Sequence, residues 1–86
     1  MNLHKCGNMK VLAFGIAKDI FSSSIVDVHL IPGSTISDLK IELEGKFPQL
    51  SNLGSYMFAL NNEYASIDAM IHEGDEIAVI PPVSGG

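Results

Sequence analysis

The chain has 86 residues, of which 47% are hydrophobic, and this length suits one small domain with a single core. Ten acidic and five basic residues give a formal net charge of −5, which argues against the basic surface that a nucleic-acid partner requires. No apolar run approaches the roughly 20 residues of a membrane helix, and residues 1–7 lack the apolar stretch of a secretory signal. We therefore expect a cytoplasmic protein that binds neither nucleic acid nor membrane.

The residue types that usually carry catalysis or metal binding are few and scattered. Cys6 has no second cysteine to pair with, which excludes an internal disulfide and a cysteine-only metal site, and we interpret it as an incidental reduced thiol. His4, His29 and His72 do not show the spacing of a zinc site. The sequence also lacks a P-loop and a nucleophile elbow, so we expect no bound cofactor, no metal and no catalysis by this chain alone.

Two apolar runs in the first third of the chain predict a β-hairpin. Residues 11–16 predict a strand whose alternation puts three large side chains on one face: Leu12, Phe14 and Ile16. Residues 25–30 predict a second strand with three inward-facing side chains: Val26, Val28 and Leu30. Lys18-Asp19 and the serines at 22–24 mark a short connection, which favours antiparallel pairing of the two strands.

A helix is predicted after the turn at residues 32–34. Thr35 is the best N-cap residue, and Asp38 places negative charge in the first helical turn. Apolar side chains recur at helical spacing and predict one buried stripe: Ile36, Leu39, Leu43 and Phe47. Pro48 ends the helix, because proline cannot continue it.

Short apolar runs after a polar loop at about residues 51–55 predict three further strands. They are expected over residues 56–60, 64–67 and 76–80. Turns at residues 61–63 and 73–75 separate them. The order ββαβββ predicts an α+β domain, with one main helix packed across a mixed sheet. We place this domain at residues 10–82, after a polar N-terminal extension over residues 1–9.

The last six residues, from Pro81 to Gly86, are the most informative part of the sequence. Pro81-Pro82 should end the last strand and project the chain stiffly, because proline fixes φ and donates no hydrogen bond. Glycine is costly to order, so we expect residues 83–86 to form a mobile tail that could enter a narrow channel. This indicates that the carboxylate of Gly86 is the reactive group, although a frayed end without function is the alternative.

These features together resemble a known family. The matching segments are Val11–Phe14 with Lys18-Asp19, the helix start after Thr35, Asn61-Asn62, and Gly74–Ala78 with Pro81–Gly86. They resemble the small sulfur-carrier subunits of molybdopterin synthase, which have the β-grasp, or ubiquitin-like, fold. The resemblance covers about residues 9–86. It departs from the family in the N-terminal extension and at Phe21–Ser24, where the family commonly has a glycine.

The resemblance implies a mechanism in which Gly86, next to Gly85, accepts sulfur. An adenylyltransferase related to ubiquitin-activating enzymes would consume ATP to adenylate the Gly86 carboxylate, and a sulfur-donor enzyme would convert it to a thiocarboxylate. This terminus would then enter the large catalytic subunit of a heterotetrameric synthase and donate sulfur to a pterin precursor. The resemblance implies a contact surface for that subunit at Phe14, Lys18, Val79, Ile80, Pro81, Val83 and Ser84.

Three other interpretations stay open. Sulfur carriers of the thiamine pathway share the fold and the Gly-Gly end, although the Pro-Pro-Val-Ser step favours the molybdopterin branch. A protein modifier that is joined to lysines through Gly86 would use the same activated carboxylate. A plain interaction domain with an inert tail is the third. Separately, Phe14 could be an ordinary core residue instead of part of the contact surface, since large apolar side chains usually lie inside.

Overall fold

The computed structural model describes residues 7–31 and 33–82, which form an α+β fold as predicted. The elements in chain order are β1 (Gly7–Ala13), α1 (Ile16–Phe21), β2 (Ile25–Leu30), α2 (Ile36–Lys46), a 3₁₀ helix (Pro48–Leu53), β3 (Met57–Leu60), β4 (Glu63–Ala65) and β5 (Ile77–Ile80). No helix in the described part of the chain has the length and apolarity to cross a membrane.

The five strands form one mixed sheet in the order β2-β1-β5-β3-β4. β1 pairs with β2 in antiparallel register, which confirms the predicted hairpin. β5 lies between β1 and β3, parallel to β1 and antiparallel to β3. Because β1 and β5 are parallel neighbours, their carboxyl ends lie side by side. Pro81 and Pro82 follow β5 at this end of the sheet.

Helix α2 packs across one face of the sheet, and its start is as predicted. Thr35 caps the helix reciprocally with Asp38: the Asp38 amide donates to Thr35 Oγ1 at 3.3 Å, and the Thr35 amide donates to an Asp38 oxygen at 3.0 Å. Three residues of the predicted stripe are fully buried: Ile36, Leu39 and Leu43. They join the core with the inward side chains of β1 and β5, so this face of the sheet is closed to partners.

The bounds of the first strand differ from the prediction. β1 starts at Gly7, before the predicted domain start at residue 10, and ends at Ala13 instead of Ile16. Gly15 has a φ of 58°, in the region that favours glycine, and turns the chain so that Ile16 opens α1. The predicted irregular connection is therefore partly helical, and Phe21 at its end is buried in the core.

Two later segments also differ from the prediction. A 3₁₀ helix, Pro48–Leu53, overlaps the start of the expected polar loop, and its Leu50 is fully buried. Two leucines in a short polar segment, Leu50 and Leu53, are too few to show a periodicity, so the sequence analysis did not detect this element. β4 ends at Ala65, and Ile67, which the prediction placed in this strand, is exposed.

Candidate functional site

The segment that leads to the C-terminal glycines starts at β5. Ile77 and Val79 point into the core and are fully buried, whereas Ala78 and Ile80 lie on the opposite face of the sheet. The prediction that Val79 contacts a partner is therefore wrong, because its side chain has no surface to offer. Pro81 is half-buried at the end of the strand, and Pro82 is exposed.

The sheet face opposite α2 carries an uncovered apolar surface next to this exit. We call it the apolar face and define it by Leu12, Phe14, Ala59, Tyr64, Ala78 and Ile80. Together with the polar residues Asn62 and Glu76, they line a hollow of about 360 Å³. Two of its aromatic side chains are strongly exposed, since Phe14 is 50% and Tyr64 is 69% accessible. Large apolar side chains clustered on a surface indicate a contact site, because burying them is favourable.

The structure places Phe14 and Ile80 at the same hollow, and Pro81 follows Ile80 at the end of β5. The exposure of Phe14 shows that its alternative interpretation as a core residue is wrong. Lys18 lies on α1 and is exposed. The roles of these residues in binding stay predictions. The remaining predicted residues, Val83, Ser84, Gly85 and Gly86, lie outside the described part of the chain.

Four members of the apolar face were missed by the sequence analysis. They are Leu12, Ala59, Tyr64 and Ala78. The alternation of β1 and β5 already places Leu12 with Phe14 and Ala78 with Ile80, so these two could have been found. Tyr64 and Ala59 face each other across β3 and β4, and this pairing depends on the register of the hairpin.

A polar network borders the apolar face at the entry to β5. The His72 backbone amide donates to Asp75 Oδ2 at 2.7 Å, and Asn61 Nδ2 donates to Asp75 Oδ1 at 3.0 Å. These two hydrogen bonds lower the pKa of the Asp75 carboxyl from its ordinary value, and the nearby His72 ring adds to the effect. The hydrogen bond from Asn61 joins the loop before β5 to the turn at Asn61, and the one from His72 lies within that loop. Within residues 7–31 and 33–82, no three histidine, cysteine or acidic side chains are arranged to hold a metal ion.

The sequence is similar to known sulfur carriers over almost its whole length. The model of the ThiS family matches residues 11–86. A molybdopterin synthase sulfur carrier subunit of Arabidopsis thaliana is 38% identical over 79 residues, which cover 91% of this chain and 82% of that protein. Its counterpart in Dictyostelium discoideum is 38% identical over 81 residues, which cover 90% of this chain and 94% of that protein.

Solved structures share the fold. SAMP1 from Haloferax volcanii superposes with a TM-score of 0.80 at 29% identity, covering 93% of this chain and all of that one. A complex of subunits 1 and 2 of molybdopterin-converting factor from Helicobacter pylori gives a TM-score of 0.63 at 25% identity, covering 91% of this chain and 97% of the matched one. These matches, over more than 90% of this chain, confirm the β-grasp fold. The family match, the identity to both relatives and the shared fold together show that this chain belongs to the ThiS family, among the molybdopterin synthase sulfur carrier subunits.

Proposed function

We propose that this chain carries sulfur as a thiocarboxylate on Gly86 and delivers it to the large catalytic subunit of molybdopterin synthase. The observation that carries the proposal is the position of the β5 exit, where Pro81-Pro82 leaves the sheet beside the uncovered apolar face. A partner that docks on this face would lie next to the point from which the terminal glycines extend.

The chemistry requires activation, because a carboxylate is a poor electrophile. An adenylyltransferase would join the Gly86 carboxylate to AMP from ATP and release pyrophosphate. A sulfur nucleophile would then attack the acyl carbon and expel AMP, which leaves a thiocarboxylate on Gly86. The chain offers no P-loop for ATP, so the nucleotide would bind the activating partner. Gly85 would allow the partner's active site to approach the Gly86 carboxyl group closely, because Gly85 has no side chain.

The apolar face has an energetic role in this proposal. Ordering four tail residues in a partner's channel costs about 4–8 kcal/mol in backbone freedom. Burying apolar surface is worth about 25 cal/mol per Å², so about 160–320 Å² of it would offset that cost. Phe14, Tyr64 and Ile80 are large enough to supply a contact of this order. Lys18 on α1 would lie at the charged rim of this contact.

We also place the protein in the cytoplasm. The residues that the structure describes include no membrane-crossing helix. Cys6 is the single cysteine of the sequence, which is compatible with a reducing compartment.

A protein modifier is the second candidate function. The likeness to the Haloferax volcanii protein that is named small archaeal modifier protein 1 favours it, since a modifier would use the same activated Gly86 carboxylate. The two functions differ in the acceptor, which is a pterin precursor in one case and a lysine in the other.

Intact mass measurement tests the proposal directly. The protein is incubated with an activating enzyme, ATP and sulfide, with a known carrier as the positive control. We expect a mass increase equal to exchange of one oxygen for sulfur, located on Gly86 by fragmentation, and none in a variant that lacks Gly86. An unshifted mass with an active control contradicts the proposal, and lysine conjugates of this chain would favour the modifier.

A further inference from the structure

The hollow in the apolar face has a floor of two alanines. Ala59 of β3 and Ala78 of β5 lie directly opposite each other in the antiparallel pairing, so their side chains share one face of the sheet. Larger side chains border this floor, among them Leu12 and Tyr64, and the difference in size produces the depression. Its volume of about 360 Å³ has room for one long side chain of a docked partner.

One end of the hollow is polar. Glu76 directly precedes β5, and strand alternation places it on the same side as Ala78. Asn62, in the turn after β3, lines the same end. The backbone amide of Glu76 is hydrogen-bonded to Asn61, but within residues 7–31 and 33–82 its carboxylate has no hydrogen bond and no ion pair. The hollow therefore combines an apolar lining with an uncompensated negative charge.

A partner that covers the apolar face must neutralise this charge. Filling the hollow removes water from the Glu76 carboxylate, and a buried carboxylate is costly unless a cation or hydrogen-bond donors replace that water. Lys10 lies on the neighbouring strand, but its ammonium group is already bonded to Asp27 Oδ1 at 3.0 Å. The cation has to come from the partner.

The lining of the hollow favours arginine over lysine. The apolar stem of an arginine side chain would pack on Leu12 and the alanine floor. Its planar guanidinium would stack on the exposed Tyr64 ring and donate two parallel hydrogen bonds to the Glu76 carboxylate. The side-chain oxygen of Asn62 can accept a further guanidinium hydrogen bond. A lysine ammonium has neither the planar face nor the paired donors.

We propose that the hollow receives an arginine side chain of the partner that docks on the apolar face, with its guanidinium group at Glu76. The inference rests on the proposed function, in which this partner is the large catalytic subunit of molybdopterin synthase. The sequence of this chain contains no arginine, so a second copy of it does not fit the hollow in this way. The contact selects partners by charge as well as by apolar area.

The test measures the dissociation constant for the large subunit by titration calorimetry at low and high salt. Glu76→Gln keeps the shape of the side chain and removes its charge, so we expect the constant to rise at least about tenfold at low salt. Its affinity should also depend less on salt than that of wild type. Glu73→Gln is the matched control, because Glu73 is an exposed carboxylate of the same loop that does not line the hollow. It should bind within about twofold of wild type.

A second variant tests the hollow without changing the charge. Ala59→Leu fills the floor, so it should also weaken binding at least about tenfold, since the arginine stem loses its space. Thermal unfolding confirms that each variant is folded. If Ala59→Leu does not fold, the two glutamine variants decide.

A double-mutant cycle identifies the arginine. Each surface arginine of the large subunit is replaced by glutamine and titrated against wild type and Glu76→Gln. One replacement should weaken binding at least about tenfold against wild type and less than about twofold against Glu76→Gln. Wild-type affinity in Glu76→Gln or in folded Ala59→Leu, an equal loss in Glu73→Gln, or the absence of a coupled arginine would each overturn the inference. A wild-type chain that does not bind the large subunit contradicts the proposed function instead.

Discussion

The side chain of Asn61 is hydrogen-bonded to Asp75, from Nδ2 to Oδ1 at 3.0 Å, and thereby joins two separate turns. Asn61 lies in the two-residue turn between β3 and β4, whereas Asp75 lies in the loop that leads into β5. Asn61 Oδ1 also accepts a hydrogen bond from the Glu76 amide at 2.9 Å. This one side chain therefore holds the start of β5, the strand that carries the functional terminus.

Replacing Asn61 with alanine should destabilise the fold. The variant loses both side-chain hydrogen bonds and also places alanine at a φ of 54°, so we expect a loss of about 2–3 kcal/mol in urea unfolding. Asn62→Ala is the matched control, because Asn62 has a φ of 72° but makes no side-chain hydrogen bond within the described residues. Equal losses in the two variants would show that only the backbone conformation matters.

The lowered pKa of Asp75 predicts a stability that depends on acid pH. Because the folded pKa is below the unfolded value near 3.8, the contribution is fully present above that pH and is lost as pH falls through the folded pKa. Asp75→Asn should lower the thermal midpoint at neutral pH, and the difference from wild type should shrink below about pH 4. Asp68→Asn, at an exposed carboxylate, serves as the control. A difference that does not vary with pH would contradict the prediction.

Tyr56, which directly precedes β3, is joined to α2 through its hydroxyl group, which donates to Glu44 Oε2 at 2.5 Å. Burial and the Glu44 carboxylate both raise the pKa of Tyr56 well above its ordinary value. The stabilising effect of the Tyr56–Glu44 hydrogen bond is thus present below about pH 10, the ordinary pKa of tyrosine. It is lost as the pH rises toward the higher pKa of Tyr56 in the folded protein.

We expect Tyr56→Phe to cost about 1 kcal/mol at neutral pH and to remove the late step from the phenolate absorbance titration. Glu44→Gln keeps an acceptor without the charge, so its late step should move to lower pH. A titration of Glu44→Gln that matches wild type would show that the carboxylate does not govern this tyrosine.

Truncation of the apolar face should weaken docking without unfolding the domain. The double variant Phe14→Ala/Ile80→Ala should raise the dissociation constant for the large synthase subunit at least about tenfold, because central apolar contacts carry most of the binding energy. Ile31→Ala/Ile41→Ala removes two equally apolar, exposed side chains that line a hollow on the α2 side, and should bind like wild type. Titration calorimetry on folded variants measures both, and unchanged affinity of the first pair would contradict docking at this face.

The strength of the sequence signals explains which elements could be predicted. α2 was located correctly because its cap, Thr35 with Asp38, and its buried stripe repeat local rules that operate within a few residues. The alternation of β2 was equally local, with Val28 and Leu30 buried as predicted. By contrast, the burial of Val79 and the exposure of Phe14 depend on which face α2 covers, and a strand pattern does not specify that.

The sequence by itself determined the class of fold, the strand order along the chain and the family. Short-range periodicity, helix capping and the Pro-Pro and Gly-Gly pairs each depend only on residues a few positions apart, so they can be recognised without the tertiary structure. Only the tertiary structure decided where β5 lies in the sheet, which side chains form the apolar face, and that Gly15 lies close to Pro81. The pairing of β1 with β5 and the approach of Gly15 to Pro81 each join residues more than 60 positions apart, which no local sequence pattern specifies.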